Sequence, residues 1–320
     1  MLQTKLTKER RSLISIFACD IVSFNGLIKF TRLSLLAVLK SVEQEEDNLM
    51  NKQDPKKNIA GLYNRVASLY GQVGPGFFSY AGRHLVEHMD IAAGAKVLDV
   101  AVGRGANLFA AAEKVGPLGQ VIGIDLAENM VQETKAEIER RGISNATVLQ
   151  MDAEQLTFDP ASFDYVLCGF AVFLFPHLDQ TLSGFLRVLR TGGKLGITVA
   201  RDTDALSQWY GKRITEYHEL YHFPLSVRCE YFDITEIPSY LARAGFRNVH
   251  VLHEQARFDY ADAQRWWDAK WTHGTRYSLE HMSTGVLAEF KKEVFDRLEE
   301  ARRQGGIYEE RNLEFVIGTK

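Results

Sequence analysis

The chain has 320 residues, 46% of them hydrophobic, and a formal net charge of -3. That is enough apolar material for one large core, alone or with a small appended domain. The charge balance leaves no electrostatic footprint for nucleic acid, so a nucleic-acid partner is disfavoured. The three cysteines, Cys19, Cys168 and Cys229, stand far apart with no CxxC and no His/Cys pairing in sequence. This pattern argues against a zinc site or a disulfide framework and for a reduced, cytoplasmic setting. No metal ligand set is assigned.

Residues 1–49 read differently from the rest. A basic start (Lys5, Lys8, Arg10, Arg11) leads into an apolar stretch over 12–39 that Asp20, Asn25, Lys29 and Arg32 interrupt. No uncharged run spans a bilayer, and no compact apolar core with a small-residue cleavage site marks a signal peptide. Three readings stay open: an amphipathic helix that touches a membrane or partner, a poorly ordered tail, or translation from an upstream start. The polar segment opened by Met50 favours the last.

From Ile59 the spacing predicts a helix, with Tyr63, Val66, Ala67 and Tyr70 at i, i+3, i+4, i+7. After a Gly/Pro break at 71–76, a second helix is expected from Phe77 to Met89. Alternating units follow: strands at Lys96–Val100, Gln120–Ile124, Thr147–Met151, Tyr165–Cys168 and Lys194–Val199, with helices at Asn107–Val115, Glu128–Arg141 and Leu178–Leu189. Short apolar strands alternating with helices mean βαβ units and a parallel sheet. Residues 202–232 are aromatic-rich and show no clean period. A helix at Pro238–Gly245, a strand at Val249–His253, helical character over 261–303 and a strand at Leu313–Ile317 close the chain. The expected organisation is a helical cover (50–90), an α/β core (91–200), an aromatic cap (201–237) and a last portion (238–320) with a helical insertion at 258–306.

The first strand runs into Asp99-Val100-Ala101-Val102-Gly103-Arg104-Gly105. Glycine, lacking Cβ, lets backbone approach a ligand there, and the following helix offers free N–H groups. Such a turn alone is common in open α/β sheets. The later strand ends add to it. Asp125 closes the second strand, where a carboxylate can accept from both hydroxyls of a ribose. Asp152, with Met151 and Ala153, closes the third, and Gly169-Phe170 the fourth. Ligands in such sheets sit beyond the carboxyl ends of the strands.

On these residues, the stretch from about Ile59 to Val199 resembles the class I S-adenosylmethionine-dependent methyltransferases, and within them the ubiquinone/menaquinone-biosynthesis type and its small-molecule relatives. The resemblance implies a Rossmann-like, mostly parallel seven-stranded sheet with an antiparallel last strand, helical cap insertions, and S-adenosylmethionine as cofactor. It implies that Asp99, Ala101, Gly103 and Gly105 serve the methionine end, that Asp125 with Leu126 and Met130 holds the ribose side, and that Asp152 and Ala153 flank the adenine. Tyr63 and Tyr70 form a cover, and Gly169 and Phe170 complete the site. Ala101 stands where the family has glycine, which is tolerable if its φ is negative. A nicotinamide enzyme would need a third glycine where Leu108 stands.

A sulfonium methyl is already electrophilic, so positioning supplies much of the rate, with a base needed only for a protonated nucleophile. His177 is the best-placed candidate base. The expected acceptor contacts are Tyr210, Tyr217, Tyr221, His222, Trp267 and Trp271, because long connections tend to become lids or binding segments. An apolar or aromatic small molecule, methylated at carbon or oxygen, is the expected acceptor. A cofactor-binding protein that does not methylate and a membrane-associated quinone methyltransferase are the alternatives. Monomer and homodimer both remain open.

Overall fold

The computed structural model describes residues 55–225 and 233–320, so the expectations for residues 1–49 lie outside the described part. The chain order begins with helices α1 (Pro55–Val66) and α2 (Phe77–His88). It continues β1 (Lys96–Val100), α3 (Ala106–Val115), β2 (Gln120–Asp125), α4 (Glu128–Arg141), β3 (Ala146–Gln150) and β4 (Phe163–Gly169). Then come α5 (Leu178–Val188), β5 (Leu189–Asp202), α6 (Ala205–Tyr221), α7 (Ile237–Arg243), β6 (Arg247–Tyr260), α8 (Ala263–Lys270), α9 (Arg276–His281), α10 (Thr284–Gln304) and β7 (Ile307–Thr319).

The seven strands form one sheet in the order β3-β2-β1-β4-β5-β7-β6. β1 pairs in parallel with both β2 and β4, while β7 runs antiparallel to β5 and β6. The order reverses at β1/β4, and a crevice opens there at the carboxyl ends of the strands. Alternation of side chains across β1 explains the two layers: Leu98 and Val100 face one apolar cluster, Val97 the other. α2 and α3 cover the second face, α5 and α7 the first, and α4 gives Met130 to the first cluster and Ile138 to the second.

Glycine sets how closely α2 approaches α3. A Cβ on Gly82 would lie 2.6 Å from the Ala106 carbonyl, which is backbone and cannot rotate away. α2 therefore packs directly on the N-terminal turn of α3, the turn that bounds the crevice.

Three expectations change. α1 ends at Val66, so Tyr70 lies on the turn that follows rather than on the same helix as Tyr63. The stretch expected to lack a period contains α6, whose buried residues Leu206, Tyr210, Ile214 and Tyr217 recur at helical spacing. Exposed or half-buried aromatics on its other sides, such as Trp209 and Tyr221, obscure that stripe in the sequence. β6 and β7 are far longer than expected and pair up to Tyr260 opposite Ile307. The helical insertion thus sits at the tip of an extended hairpin.

There α8, α9 and α10 pack with α6 around Trp266, Trp267, Phe290 and Tyr217, a third apolar cluster separate from the sheet's two. Side chains cap these helices locally: Asp204 accepts from the Ser207 N–H, Asp262 from that of Arg265, and Ser283 from that of Val286. No helix among the described residues is long and apolar enough to cross a membrane.

Gly82→Ala is expected to lower the unfolding free energy by about 1–3 kcal/mol, the ordinary cost of overpacking, read as a shift in the urea midpoint.

Candidate active site

The turn after β1 is held by hydrogen bonds from three directions. Asp99, fully buried, accepts from the Asn107 amide at 2.9 Å and so joins the end of β1 to the first turn of α3. Burial pushes its carboxyl up to about 7. The Asn107 amide occupies the space that a Cβ on Gly169 would need, since that atom would lie 2.9 Å from it. Glycine at the end of β4 is thus required by packing across the crevice. Arg104 donates to the Ala67 carbonyl at 2.8 Å and anchors the turn to the segment after α1.

Asp125 ends β2 with its carboxylate under the same turn. One oxygen accepts from the Gly103 N–H at 2.9 Å and the other from the Ala127 N–H at 2.9 Å. Burial nonetheless raises it to about 6, against the pull of those N–H groups. The carboxylate is aimed by backbone on both sides, yet it keeps lone pairs for a ligand.

Ala101 has φ +54, contrary to the negative φ expected for it. A non-glycine residue there costs about 1–2 kcal/mol. Phe170, across the crevice after β4, also has φ +54. Two such residues on facing strand ends mark a strained, over-determined backbone of the kind that gathers at functional sites.

These elements enclose a cleft of about 690 Å³, open to solvent, lined by Ala101, Gly103, Asp125, Leu126, Asp152, Ala153, Gly169, Phe170, Tyr63 and Tyr70. Four of the expected strand tips thus meet in one place. Gly105 does not line this cleft; it N-caps α3 at φ +81, and a Cβ there would lie 2.6 Å from the Phe109 ring. Met130 is a correction: it is buried in the core under α4 rather than in the cleft.

Further lining residues were not singled out from the sequence. Lys56 and Ile59 precede Tyr63 on α1 at i, i+3, i+7, a continuation of the helical spacing toward the N-terminus. Lys56 donates to Asp152 at 2.6 Å and also pairs with Glu154, so α1 is latched over the third strand tip.

A wider cavity, broadly open to solvent, adjoins the cleft and shares Tyr63, Tyr70, Phe170 and Leu174 with it. Of the expected acceptor contacts, Tyr210 lines this cavity; Tyr217, Tyr221, His222, Trp267 and Trp271 do not. Trp267 belongs to the cap's own core, and Tyr217 donates to Glu293 at 2.9 Å, tying α6 to α10. His222 is an exposed residue with φ +57 that terminates α6. His177 is exposed at the N-cap of α5 and lines neither space. The cap aromatics sit where helical spacing ordinarily puts them, in a core.

The cavity's polar groups come instead from α6, the α8–α9 turn and β7. Lys270 and Glu309, both buried, form an ion pair, and Arg311 and the Tyr260 hydroxyl also reach Glu309, at 2.9 and 3.1 Å. Burial pushes Glu309 up, but the two cations outweigh it and hold the carboxyl down at about 2. The Tyr210 hydroxyl and Ser207 Oγ, both buried, make no hydrogen bond among the described residues. His273 completes this side of the cavity.

A family model described as a methyltransferase domain matches residues 91–268. Nocamycin O-methyltransferase of Saccharothrix syringae is 39% identical over 148 residues, 46% of this chain and 53% of that protein. The match therefore spans only about half the length of that relative. Aklanonic acid methyltransferase DauC of Streptomyces sp. (strain C5) is 38% identical over 149 residues, 47% of this chain and 68% of that protein. A demethylmenaquinone methyltransferase of Geobacillus stearothermophilus is 30% identical over 217 residues, 61% of this chain and 88% of that protein. The YcgJ protein from Bacillus subtilis has the same fold, with a TM-score of 0.52 at 18% identity over 75% of this chain and 98% of that one. With the glycine turn, the acid-tipped strands and the single antiparallel strand in place, the chain belongs to the class I S-adenosylmethionine-dependent methyltransferases.

Proposed function

We propose that the chain transfers a methyl group from S-adenosylmethionine to a small, mostly apolar or aromatic acceptor. The observation that carries this reading is the shared wall: the cleft and the cap cavity meet at Tyr63, Tyr70, Phe170 and Leu174. A donor in one space and an acceptor in the other would face each other there. The relatives' names, an O-methyltransferase and a demethylmenaquinone methyltransferase, support a small-molecule acceptor and leave carbon and oxygen both open as the methylated atom.

The residues present fit the cofactor. Asp125 offers a buried, backbone-aimed carboxylate for the two ribose hydroxyls. Asp152, Met151 and Ala153 offer an acidic and apolar edge for the adenine, with Lys56 latched across it. Gly103 lets backbone lie open to the ligand; a Cβ there would point at the Tyr70 ring, 3.4 Å away, and narrow the cleft. When bound, the cofactor supplies an electrophilic methyl on a sulfonium. The protein's own contribution is to hold the acceptor in line and keep water out.

For the acceptor, Phe77, Phe78, Phe170 and Phe173 provide aromatic faces, while the Tyr210 and Ser207 hydroxyls await a hydrogen-bonding partner. A buried hydroxyl without a partner is destabilising, so we read both as held for an oxygen or nitrogen of the acceptor. His273 takes over the role of proton acceptor that the sequence reading gave to His177, because it lines the cavity and the exposed His177 does not. Glu309, held ionised by two cations, is too weak a base for that role.

S-adenosylhomocysteine binding measured by calorimetry tests the cofactor assignment, and absence of binding at pH 8 would overturn it. The ionised form of Asp125 is the one that accepts from ribose hydroxyls. Affinity is therefore expected to be full well above pH 6 and to fall as pH drops through about that value. Asp125→Asn should bind weakly at every pH, with a flat profile.

Tyr210→Phe should leave Tm unchanged or raise it, since it removes an unpaired buried hydroxyl, and should lower kcat/KM for the acceptor by about tenfold. His273→Ala is expected to lower kcat by about a hundredfold for a protonated nucleophile, whereas His177→Ala should leave it unchanged.

A further inference from the structure

Away from the cleft and the cavity, three donor side chains converge on the outer side of α2. His84 and His88 lie at i, i+4 on one face of that helix, and Glu254 reaches them from the middle of β6. His84 Nδ1 is 2.7 Å from one Glu254 oxygen and His88 Nε2 is 2.5 Å from the other. The nitrogen and oxygen donors all lie within 4.8 Å of one another, and each side chain is about a quarter exposed, which leaves an ion a way in. A carboxylate between two imidazoles offers three donors of the kinds that zinc accepts.

Neighbouring rings fix both imidazoles. The Tyr80 ring stacks on His84 at 4.1 Å between centroids, and the Phe315 ring lies 4.8 Å from that of His88. The rotamers are therefore set by packing rather than by the carboxylate alone, which reduces the entropy lost on ligation.

Two imidazoles at i, i+4 and one carboxylate form the three-protein-ligand set that zinc accepts, with a water in the fourth position. Metal–ligand distances of about 2.1 Å put tetrahedral donors roughly 3.3 Å apart. The two Glu254 contacts need to lengthen by less than about 1 Å for an ion to enter.

We propose that His84, His88 and Glu254 form a binding site for a divalent zinc-type cation that pins α2 to β6. None of the three lines the cleft or the cavity, so the site stands independently of the methyl-transfer reading. Its influence reaches the active site through α2. The first residue of that helix, Phe77, packs on Phe170 at 4.9 Å and on Phe258 of β6 at 5.2 Å. An ion between α2 and β6 fastens the wall that α2 contributes to the acceptor cavity. The sequence hides this site because its third ligand lies 166 residues beyond His88.

The test uses the whole chain, free of any affinity tag and stripped with EDTA, titrated with zinc chloride and followed by calorimetry and thermal melting. One zinc per chain is expected, with a rise in Tm on the order of 5 °C at zinc about a hundredfold above Kd, reversed by EDTA and not produced by magnesium. The His84→Ala/His88→Ala variant, checked for fold by circular dichroism, should lose both the heat of binding and the shift. If that variant fails to fold, Glu254→Gln carries the same comparison. No stoichiometric binding to the wild type, or an equal shift in wild type and variants, would overturn the assignment.

Discussion

A carboxylate shut off from water, that of Asp99, accepts the Asn107 amide hydrogen and ties the end of β1 to the start of α3. The geometry at the carboxyl edge of the sheet follows from that bond. With Asn107 fixed, β4 must end in glycine, because no Cβ fits between Gly169 and the amide. With α3 fixed, its open N-terminus and the turn before it take one shape, and Gly103 presents its N–H to Asp125 from the neighbouring strand. Burying an acid in this way is costly, as its rise to about 7 shows. The cost is borne at the position where a rigid backbone matters most, between two strands that part to make a crevice.

The second constraint is the hairpin of β6 and β7. An edge hairpin could stop at the border of the sheet. Here it continues to Tyr260 and Ile307 and lifts α8, α9 and α10 beside α6, which arrives from the other end of the chain's cap region. Cap helices from distant segments share one apolar cluster, so the aromatic residues mostly pack on each other. What faces the cavity is a different set: hydroxyls from α6, cations from the end of α8 and from β7, and an imidazole from the turn between α8 and α9. Glu309 organises the cations; Lys270, Arg311 and Tyr260 all converge on it. A buried cluster of this kind is stable only when its members satisfy one another, which leaves the unpaired Tyr210 and Ser207 hydroxyls as the groups with capacity to spare.

Much of the cleft's lining was legible in the sequence because its signals are local. The glycine turn, Asp125 and Asp152 each sit at the tip of a strand whose apolar run is visible over five or six residues, and a parallel sheet brings successive tips to one edge. Ala101 shows the limit of that reading. Its side chain suggested a negative φ, whereas the strand reversal imposes a positive one. Lys56, within the expected cover, was not singled out, because it matters through its reach to Asp152, a contact across 96 residues that no spacing rule records.

Composition, periodicity and the order of strand-end residues determined the α/β class and which strand tips meet in the cleft, since each depends on neighbours within one or two elements; the antiparallel last strand came from the family resemblance. The cap cavity, its ionic network and the His84–His88–Glu254 cluster were decided by tertiary structure alone. They join α2, α6, α8, β6 and β7 across separations far longer than any helix or turn. Aromatic side chains look the same in sequence whether they face a ligand or each other. Only the packing of α6 against α8 and α10 determined which of them were left to line a space.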